Sequence, residues 1–128
     1  MDMDGTSALV FPNMQAEDYY LSIRHRNHIG IRTLNPITFT ASSGINLDFT
    51  DTAVAVLGTE SRKDVNGVQL LWSGDATADN TVNASDRSES WNERNQPGYL
   101  TVDVNLDGNC NAGDRSLTWN NRNKSGGF

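Results

Sequence analysis

The chain has 128 residues and a net charge of −6, which comes from 16 acidic and 10 basic side chains. This length suits one domain, or one domain with a small appended module, and the composition is typical of a folded chain. The acidity argues against the basic face that a nucleic-acid-binding protein needs, and no apolar run reaches the roughly 18 to 20 residues of a membrane span.

The first residues, 1–5, lack the basic segment and the following apolar segment of a signal peptide. We therefore expect no signal peptide in this chain. Because features described below indicate a secreted protein, we expect the chain to be a mature or excised piece of a longer secreted one.

Residues 1–73 have the pattern of a series of short strands. Apolar, β-branched and aromatic residues alternate with polar ones, and clusters of Gly, Asn, Pro and Ser separate the runs. The predicted strands are 8–11, 19–24, 29–33, 36–41, 45–49, 53–57 and 68–72. Several short strands at this spacing favour a mostly β fold, with an antiparallel β-sandwich over residues 1–73.

One polar segment among these strands, His25-Arg26-Asn27-His28, contains both histidines of the chain. A structural zinc ion usually takes four ligands, and no further histidine is present, so we interpret this segment as a polar turn. The chain shows neither a nucleophile with its base nor a phosphate-binding loop, and we expect no enzymatic activity.

Residues 74–95 and 102–123 are two copies of one unit, offset by 28 positions. Of the 22 aligned positions, 11 are identical; they include three Asp residues and a shared run, Arg-Ser-x-x-Trp-Asn-x-Arg-Asn. Identity at half of the positions in such a window indicates a duplicated unit.

Each copy begins with a loop of 12 residues whose oxygen-bearing side chains have the spacing of calcium ligands. Calcium takes six to eight oxygen ligands, and an EF-hand loop supplies them from positions 1, 3, 5, 7, 9 and 12, with position 7 giving its carbonyl. In the first loop, 75–86, these positions hold Asp75, Thr77, Asp79, Thr81, Asn83 and Asp86. In the second loop, 103–114, they hold Asp103, Asn105, Asp107, Asn109, Asn111 and Asp114. We therefore predict two bound Ca²⁺ ions, one in each loop.

The two loops differ at positions 3 and 6. Thr77 is a poorer ligand than Asn105, and Asn80 adopts a left-handed backbone at position 6 less readily than Gly108. We predict that the second loop binds calcium more tightly than the first.

After each loop the shared run predicts one or two helical turns, over 87–95 and 115–123. We expect Trp91 and Trp119 to pack inward from these turns. The single cysteine, Cys110, stands at position 8 of the second loop, and we expect it to be a small buried side chain and not a reactive thiol.

The loops resemble the calcium loops of dockerin type I modules, which have Asp at position 1, Asn or Asp at 3, Asp at 5, Asn at 9 and Asp at 12, followed by a helix. The second loop matches at all of these positions, and the first departs at Thr77. The resemblance implies two calcium ions and a cohesin-like protein partner bound through the helices.

Residues 19–33 and 74–87 are also similar to a module near the C-termini of large secreted bacterial surface proteins. This resemblance implies a β-sandwich with the calcium loops at its end, and a surface or anchoring role outside the cell. It also implies further strand sequence before Gly5, so we expect that another chain completes the sandwich by strand addition, either in a fibre or as a docked partner.

Our leading hypothesis is a non-catalytic, extracellular, calcium-stabilised module for adhesion or assembly, without nucleic-acid binding or membrane insertion. Residues 1–73 form its sandwich, and residues 74–128 form a calcium unit packed on it. Extracellular calcium saturates modules with dissociation constants of about 10⁻⁴ to 10⁻³ M. The alternatives are a dockerin-like module that binds a cohesin-like partner, and a carbohydrate-binding accessory domain of a secreted enzyme. The latter would use Tyr19, Tyr20 and Trp72 as its sugar platform.

Overall fold

The computed structural model describes residues 6–40 and 44–128. Its elements in chain order are β1 (Asp18–Tyr19), β2 (Ser22–Ile23), β3 (Ile31–Arg32), β4 (Ile37–Thr38), β5 (Arg62–Val65), β6 (Val68–Leu71), α1 (Ala84–Asn92) and α2 (Ala112–Asn120). The strands pair as three antiparallel two-stranded sheets, β1 with β4, β2 with β3 and β5 with β6. The predicted mostly β, antiparallel character is confirmed; these pairings do not by themselves show a sandwich.

The first four strands form one long hairpin with an interruption. Asp18 pairs with Thr38 and Ser22 with Arg32, so residues 20–21 lie opposite the longer segment 33–36. The longer side contains Pro36, which has no N–H to donate, and such irregular segments bend a strand pair. The interruption divides the predicted strand 19–24 and lies between the predicted strands 29–33 and 36–41.

The segment around β3 is the centre of the β-rich part. One edge pairs with β2, and the other makes isolated antiparallel bridges, Thr33 to Val56 and His28 to Ser73. Ile29 and Ile31 are fully buried here. The predicted strand at 53–57 is thus reduced to one bridge at Val56.

Of the hairpin formed by β5 and β6, only the second strand is among the predicted strands. Its turn is Asn66-Gly67, with positive φ at both residues (56° and 87°). Asn-Gly is the preferred pair for a two-residue hairpin turn, so the sequence carries the signal for β5 before it as well as for β6 after it.

Two predicted strands are wrong. Residues 8–11 form no strand and are exposed, because among the described residues no neighbouring strand pairs with them. Residues 45–49 also form no strand, and a turn closed by the N–H of Asp51 on the carbonyl of Asp48 follows at their end. The end of the predicted strand 36–41 at Ala41, and the predicted absence of a signal peptide at 1–5, lie outside the described residues.

The two helices begin three residues earlier than predicted because each loop supplies its own cap. The Asn83 side chain accepts the N–H of Ser85 at 2.7 Å, and Asp86 accepts the N–H of Asn83 at 2.7 Å. This reciprocal arrangement is a capping box, which satisfies two free N–H groups of the first helical turn. Asn111 and Asp114 form the same box at the start of α2. Neither helix of the described residues is long and apolar enough to cross a membrane.

The expected inward packing of the helix tryptophans is wrong. Trp91 is 55% exposed and Trp119 is 44% exposed. The inner faces of the helices instead carry the small buried side chains of Ser90 and Thr118. The core against them is formed by small residues of the repeat, namely Ala76, Val82, Val102, Val104 and Cys110. The expected burial of Cys110 is therefore confirmed.

Candidate metal centre

The first Asp of each loop holds the loop closed. Asp75 accepts the N–H groups of Asp79 and Asn80 at 3.0 and 2.9 Å, one on each carboxylate oxygen. In the second loop, Asp103 accepts the N–H groups of Asp107 and Gly108 in the same way, both at 3.0 Å. Position 1 is therefore directed into its loop in both copies.

The last Asp of each loop spans it from the other side. Asp86 accepts the N–H of Thr77 at 2.9 Å, the hydroxyl of Thr77 at 2.8 Å and the N–H of Asn83 at 2.7 Å. In the second loop, Asp114 accepts the N–H groups of Val104, Asn105 and Asn111 at 3.0, 3.3 and 2.9 Å. Positions 3, 9 and 12 are brought together in each copy.

The central acid of each loop lies at the exposed side. Asp79 accepts the N–H of Thr81 at 2.9 Å and faces the amide of Asn83 at 3.3 Å. In the second loop, Asp107 accepts the N–H of Asn109 at 2.9 Å and the side-chain amide of Asn105 at 2.9 Å. All six predicted ligand positions thus lie in one connected network in each loop.

The backbone repeats as closely as the side chains. Position 6 has positive φ in both loops, 68° at Asn80 and 82° at Gly108, as the sequence predicts. Position 4 also has positive φ, 58° at Ala78 and 63° at Leu106. The second pair was not predicted, because neither Ala nor Leu favours this conformation; the hydrogen bonds on both sides of position 4 impose it.

Four of the six loop carboxylates are buried, at 3% exposure or less: Asp75, Asp86, Asp103 and Asp114. Among the described residues only Arg26 offers a cation, with its Nη2 3.9 Å from Asp103 Oδ2. Burial is the largest cause that raises the pKa of Asp75 to about 6; the N–H of Asn80 lowers this pKa, and the charges of Asp86 and Asp79 raise it. A buried carboxylate is ordinarily paired with a cation or coordinated to a metal.

Each loop pairs with the chain that leaves the other loop's helix. In the first loop, Val82 exchanges backbone hydrogen bonds with Asn123 and Lys124, at 2.8 and 2.9 Å. In the second loop, Cys110 does the same with residues 95 and 96, at 2.8 and 3.2 Å. The two units are therefore reciprocally joined at position 8 of their loops.

The segment interpreted as a polar turn, 25–28, docks both loops. The carbonyl of Asn27 accepts the N–H groups of Gly74 and Asp75 at 3.0 and 3.2 Å, and its side chain donates to the Asp103 carbonyl at 2.6 Å. Asn27 itself is fully buried. This role leaves no local signal in the sequence, because the partners are distant along the chain.

The two histidines of this segment, His25 and His28, pack edge-on, with ring centroids 4.6 Å apart. Burial lowers the pKa of His28 to about 4, and His25 and Arg26 lower it as well.

Over residues 6–40 and 44–128, no three His, Cys, Asp or Glu side chains come together as a metal site. The loop donors are mixed carboxylate, amide, hydroxyl and carbonyl oxygens, which is the set that calcium takes.

The three aromatic residues considered as a sugar platform, Tyr19, Tyr20 and Trp72, have different surroundings. Tyr19 packs edge-on against Phe39, with centroids 5.8 Å apart. Tyr20 is exposed and lies under Arg32, whereas the Trp72 ring is covered by Lys63 and Lys124.

Comparison of the chain with models of protein families, with known proteins and with solved structures gives no match.

Proposed function

We propose that this protein is a non-catalytic, calcium-binding module that acts outside the cell in adhesion or assembly. The observation that carries the proposal is the set of four buried carboxylates, two in each of two loops whose first Asp accepts the same pair of N–H groups. Among the described residues only Arg26 has a cationic group within 4.0 Å of any of them. Two calcium ions would compensate this charge.

The loop residues fit a calcium ion by their chemistry. Each carboxylate has two oxygens with about four lone-pair sites, so the N–H groups already bound leave capacity for an ion. Such N–H bonds orient metal-binding carboxylates, and they make the loop a preformed site. The ligands would be those at positions 1, 3, 5, 7, 9 and 12 of each loop.

The ions would act by stabilising the fold. Both loops dock on the turn at Asn27 and pair with each other's exit segments, so charge compensation in the loops would stabilise these contacts. Sites of this class with dissociation constants near 10⁻⁴ to 10⁻³ M are saturated only where calcium is millimolar, which supports an extracellular location. A sandwich built from residues 1–73, and its completion by strand addition, remain parts of this proposal.

Thermal unfolding tests the proposal. The full chain is unfolded at several calcium concentrations and with a chelator, and the midpoint is followed by circular dichroism. Calcium at 100 times its dissociation constant contributes about 2.7 kcal/mol per site, so the midpoint rises with calcium. An unchanged midpoint contradicts the proposal.

Sedimentation of the same samples tests strand addition. A stable monomer in calcium contradicts strand addition.

A second candidate is a dockerin-like module with a cohesin-like partner. The exposed tryptophans of α1 and α2 favour a ligand on this face of the molecule. A pull-down with a cohesin module tests it, and absence of binding in calcium removes it.

A further inference from the structure

The outer face of α1 and α2 carries an exchanged pair of arginines and tryptophans. The guanidinium of Arg87 on α1 lies 4.8 Å from the ring centroid of Trp119 on α2. Reciprocally, the guanidinium of Arg115 on α2 lies 5.2 Å from the ring of Trp91 on α1. We call these four residues the Arg–Trp face. Its symmetry follows from the duplication of the unit.

The charge of this face is not compensated within the described chain. The ion pairs of the described residues involve other cations, Arg26 and Lys124, so no carboxylate lies within 4.0 Å of either arginine of the face. Arg115 also has a buried Nη1 with no hydrogen-bond partner. A basic patch that keeps its charge in a chain of net charge −6 indicates an anionic ligand.

The two arginines also border one surface cavity of about 360 Å³. Its lining residues are Arg87, Ser88, Trp91, Asn92 and Arg115. This volume is within the range of small-ligand sites, and the lining combines two guanidinium groups, a hydroxyl, an amide and an indole. It contains no carboxylate and no aliphatic side chain.

The arrangement leaves the arginines able to bind an oxyanion. A guanidinium stacked on an aromatic ring makes contact through its flat face, while its N–H donors lie in its plane. These donors bind carboxylate, sulfate or phosphate oxygens through two parallel hydrogen bonds. Arg94 and Arg122 also lie over Trp91 and Trp119, at 4.6 and 4.4 Å from the ring centroids. Each of them already donates one N–H from Nη1 to a helix carbonyl at 2.8 Å.

We propose that the Arg–Trp face binds an anionic polysaccharide, with a carboxylate or sulfate group of the sugar held between Arg87 and Arg115. In the same cavity, Ser88 Oγ donates to the Ala84 carbonyl at 3.0 Å and can still accept a hydrogen bond, and the Asn92 amide can donate and accept, which suits sugar hydroxyls. Arginine clusters also bind acidic peptide motifs, so an acidic peptide is the rival ligand. The Ser88 and Asn92 side chains beside the arginines favour the sugar. The site goes beyond the proposed calcium function and does not depend on it.

Titration of the full chain in excess calcium, followed through its three indole N–H signals by NMR, tests this site. The probes are a uronic-acid hexasaccharide and a sulfated hexasaccharide. A neutral hexasaccharide, free sulfate and a Glu hexapeptide are run beside them. We expect an anionic sugar to shift the signals of Trp91 and Trp119 and to leave that of Trp72 in place.

The double variant Arg87→Gln with Arg115→Gln should weaken this binding at least about tenfold, a change of about 1.4 kcal/mol. The matched control, Arg24→Gln with Lys63→Gln, removes the same charge from two other exposed residues and should bind normally. The indole spectrum of each variant shows whether it is folded.

Three outcomes overturn the proposal. One is equal binding of the neutral sugar, which removes the role of charge. Another is equal binding of free sulfate, which leaves an anion site without sugar recognition. The third is tighter binding of the Glu peptide, which assigns the face to an acidic protein. If calcium does not shift the unfolding midpoint, the same titration is run without the ion, and the two proposals are judged separately.

Discussion

The side-chain amide of Asn27 donates a 2.6 Å hydrogen bond to the carbonyl of Asp103, across 76 residues of sequence. The same residue accepts the N–H groups of Gly74 and Asp75. One buried asparagine thus holds position 1 of both loops against the β-rich part. The loops are therefore coupled to the β-rich part through this polar contact.

Replacing this contact should destabilise the protein. In Asn27→Ala, the buried carbonyl of Asp103 loses its donor, and a buried group left without a partner costs about 1 to 3 kcal/mol. Urea denaturation measures the loss in the free energy of unfolding. Asn46→Ala is the control at an exposed position and should change stability by less than about 0.5 kcal/mol. Equal stability of the two variants contradicts the role of Asn27.

Stability without calcium should depend on pH through Asp75. The pKa of this carboxyl is raised to about 6 in the folded protein, above its ordinary value of 3.8. A raised folded pKa gives stability that is fully present below the unfolded pKa and is lost as pH rises through the folded one. We therefore expect the calcium-free protein to gain stability between pH 7 and pH 4 from this group. Chemical denaturation in chelator across this range measures it, and Asp75→Asn should flatten the dependence.

Calcium should reverse this trend at the first loop. Because a proton and the ion compete for the Asp75 carboxylate, affinity there should fall as pH drops below about 6. Calorimetric titrations at pH 7 and pH 5 measure the change. An affinity that rises toward low pH is the result that rejects Asp75 as a ligand.

The loops should fill in a fixed order, with the second before the first. The variants Asp79→Asn and Asp107→Asn each remove one exposed carboxylate, while the Asn oxygen can still accept the N–H two residues on. Asp107→Asn should therefore leave only the weaker site and Asp79→Asn only the tighter one. Calorimetry of both variants gives the order, with Asp64→Asn as an exposed control outside the loops. Filling of the first loop before the second rejects this prediction.

Gly126 should tolerate no side chain. A Cβ there would collide with the Asn80 amide and with the Gly30 carbonyl, and the Gly30 carbonyl belongs to the backbone. Overpacking of this kind costs about 1 to 3 kcal/mol, so Gly126→Ala should lower the unfolding midpoint. At Gly44 an added Cβ meets no atom of the described residues within 4 Å, which makes Gly44→Ala the matched control. Equal midpoints for the two variants would show that the C-terminal segment does not pack on the first loop.

The repeat could be predicted from sequence because its signals are local. A loop of this kind closes on itself, so the residue types at positions 1, 5, 6, 9 and 12 are dictated by neighbours within the same twelve residues. The predicted helix starts lie three residues too late because Asn83 and Asn111, which are candidate ligands, also serve as N-caps, a position that Asn prefers.

The β-rich part was predicted less well because its strands are short and depend on distant partners. Residues 8–11 and 45–49 have strand-like composition but pair with no neighbour among the described residues. The direction of Trp91 and Trp119 was also misjudged, because bulky apolar residues are usually buried and the opposite helix supplies arginines that the sequence does not place. The contacts of Asn27 could not be found from one sequence at all.

The exchange of exit segments between the two units has a consequence for the origin of the fold. A single copy, with one loop and one helix, would leave position 8 of its loop without the backbone partner that the other copy provides. Two separate copies could satisfy each other by the same exchange, as in a swapped homodimer with twofold symmetry. Fusion of such a dimer into one chain would produce the present arrangement, in which covalent linkage replaces association and lets the two halves diverge, as at Thr77 and Asn105.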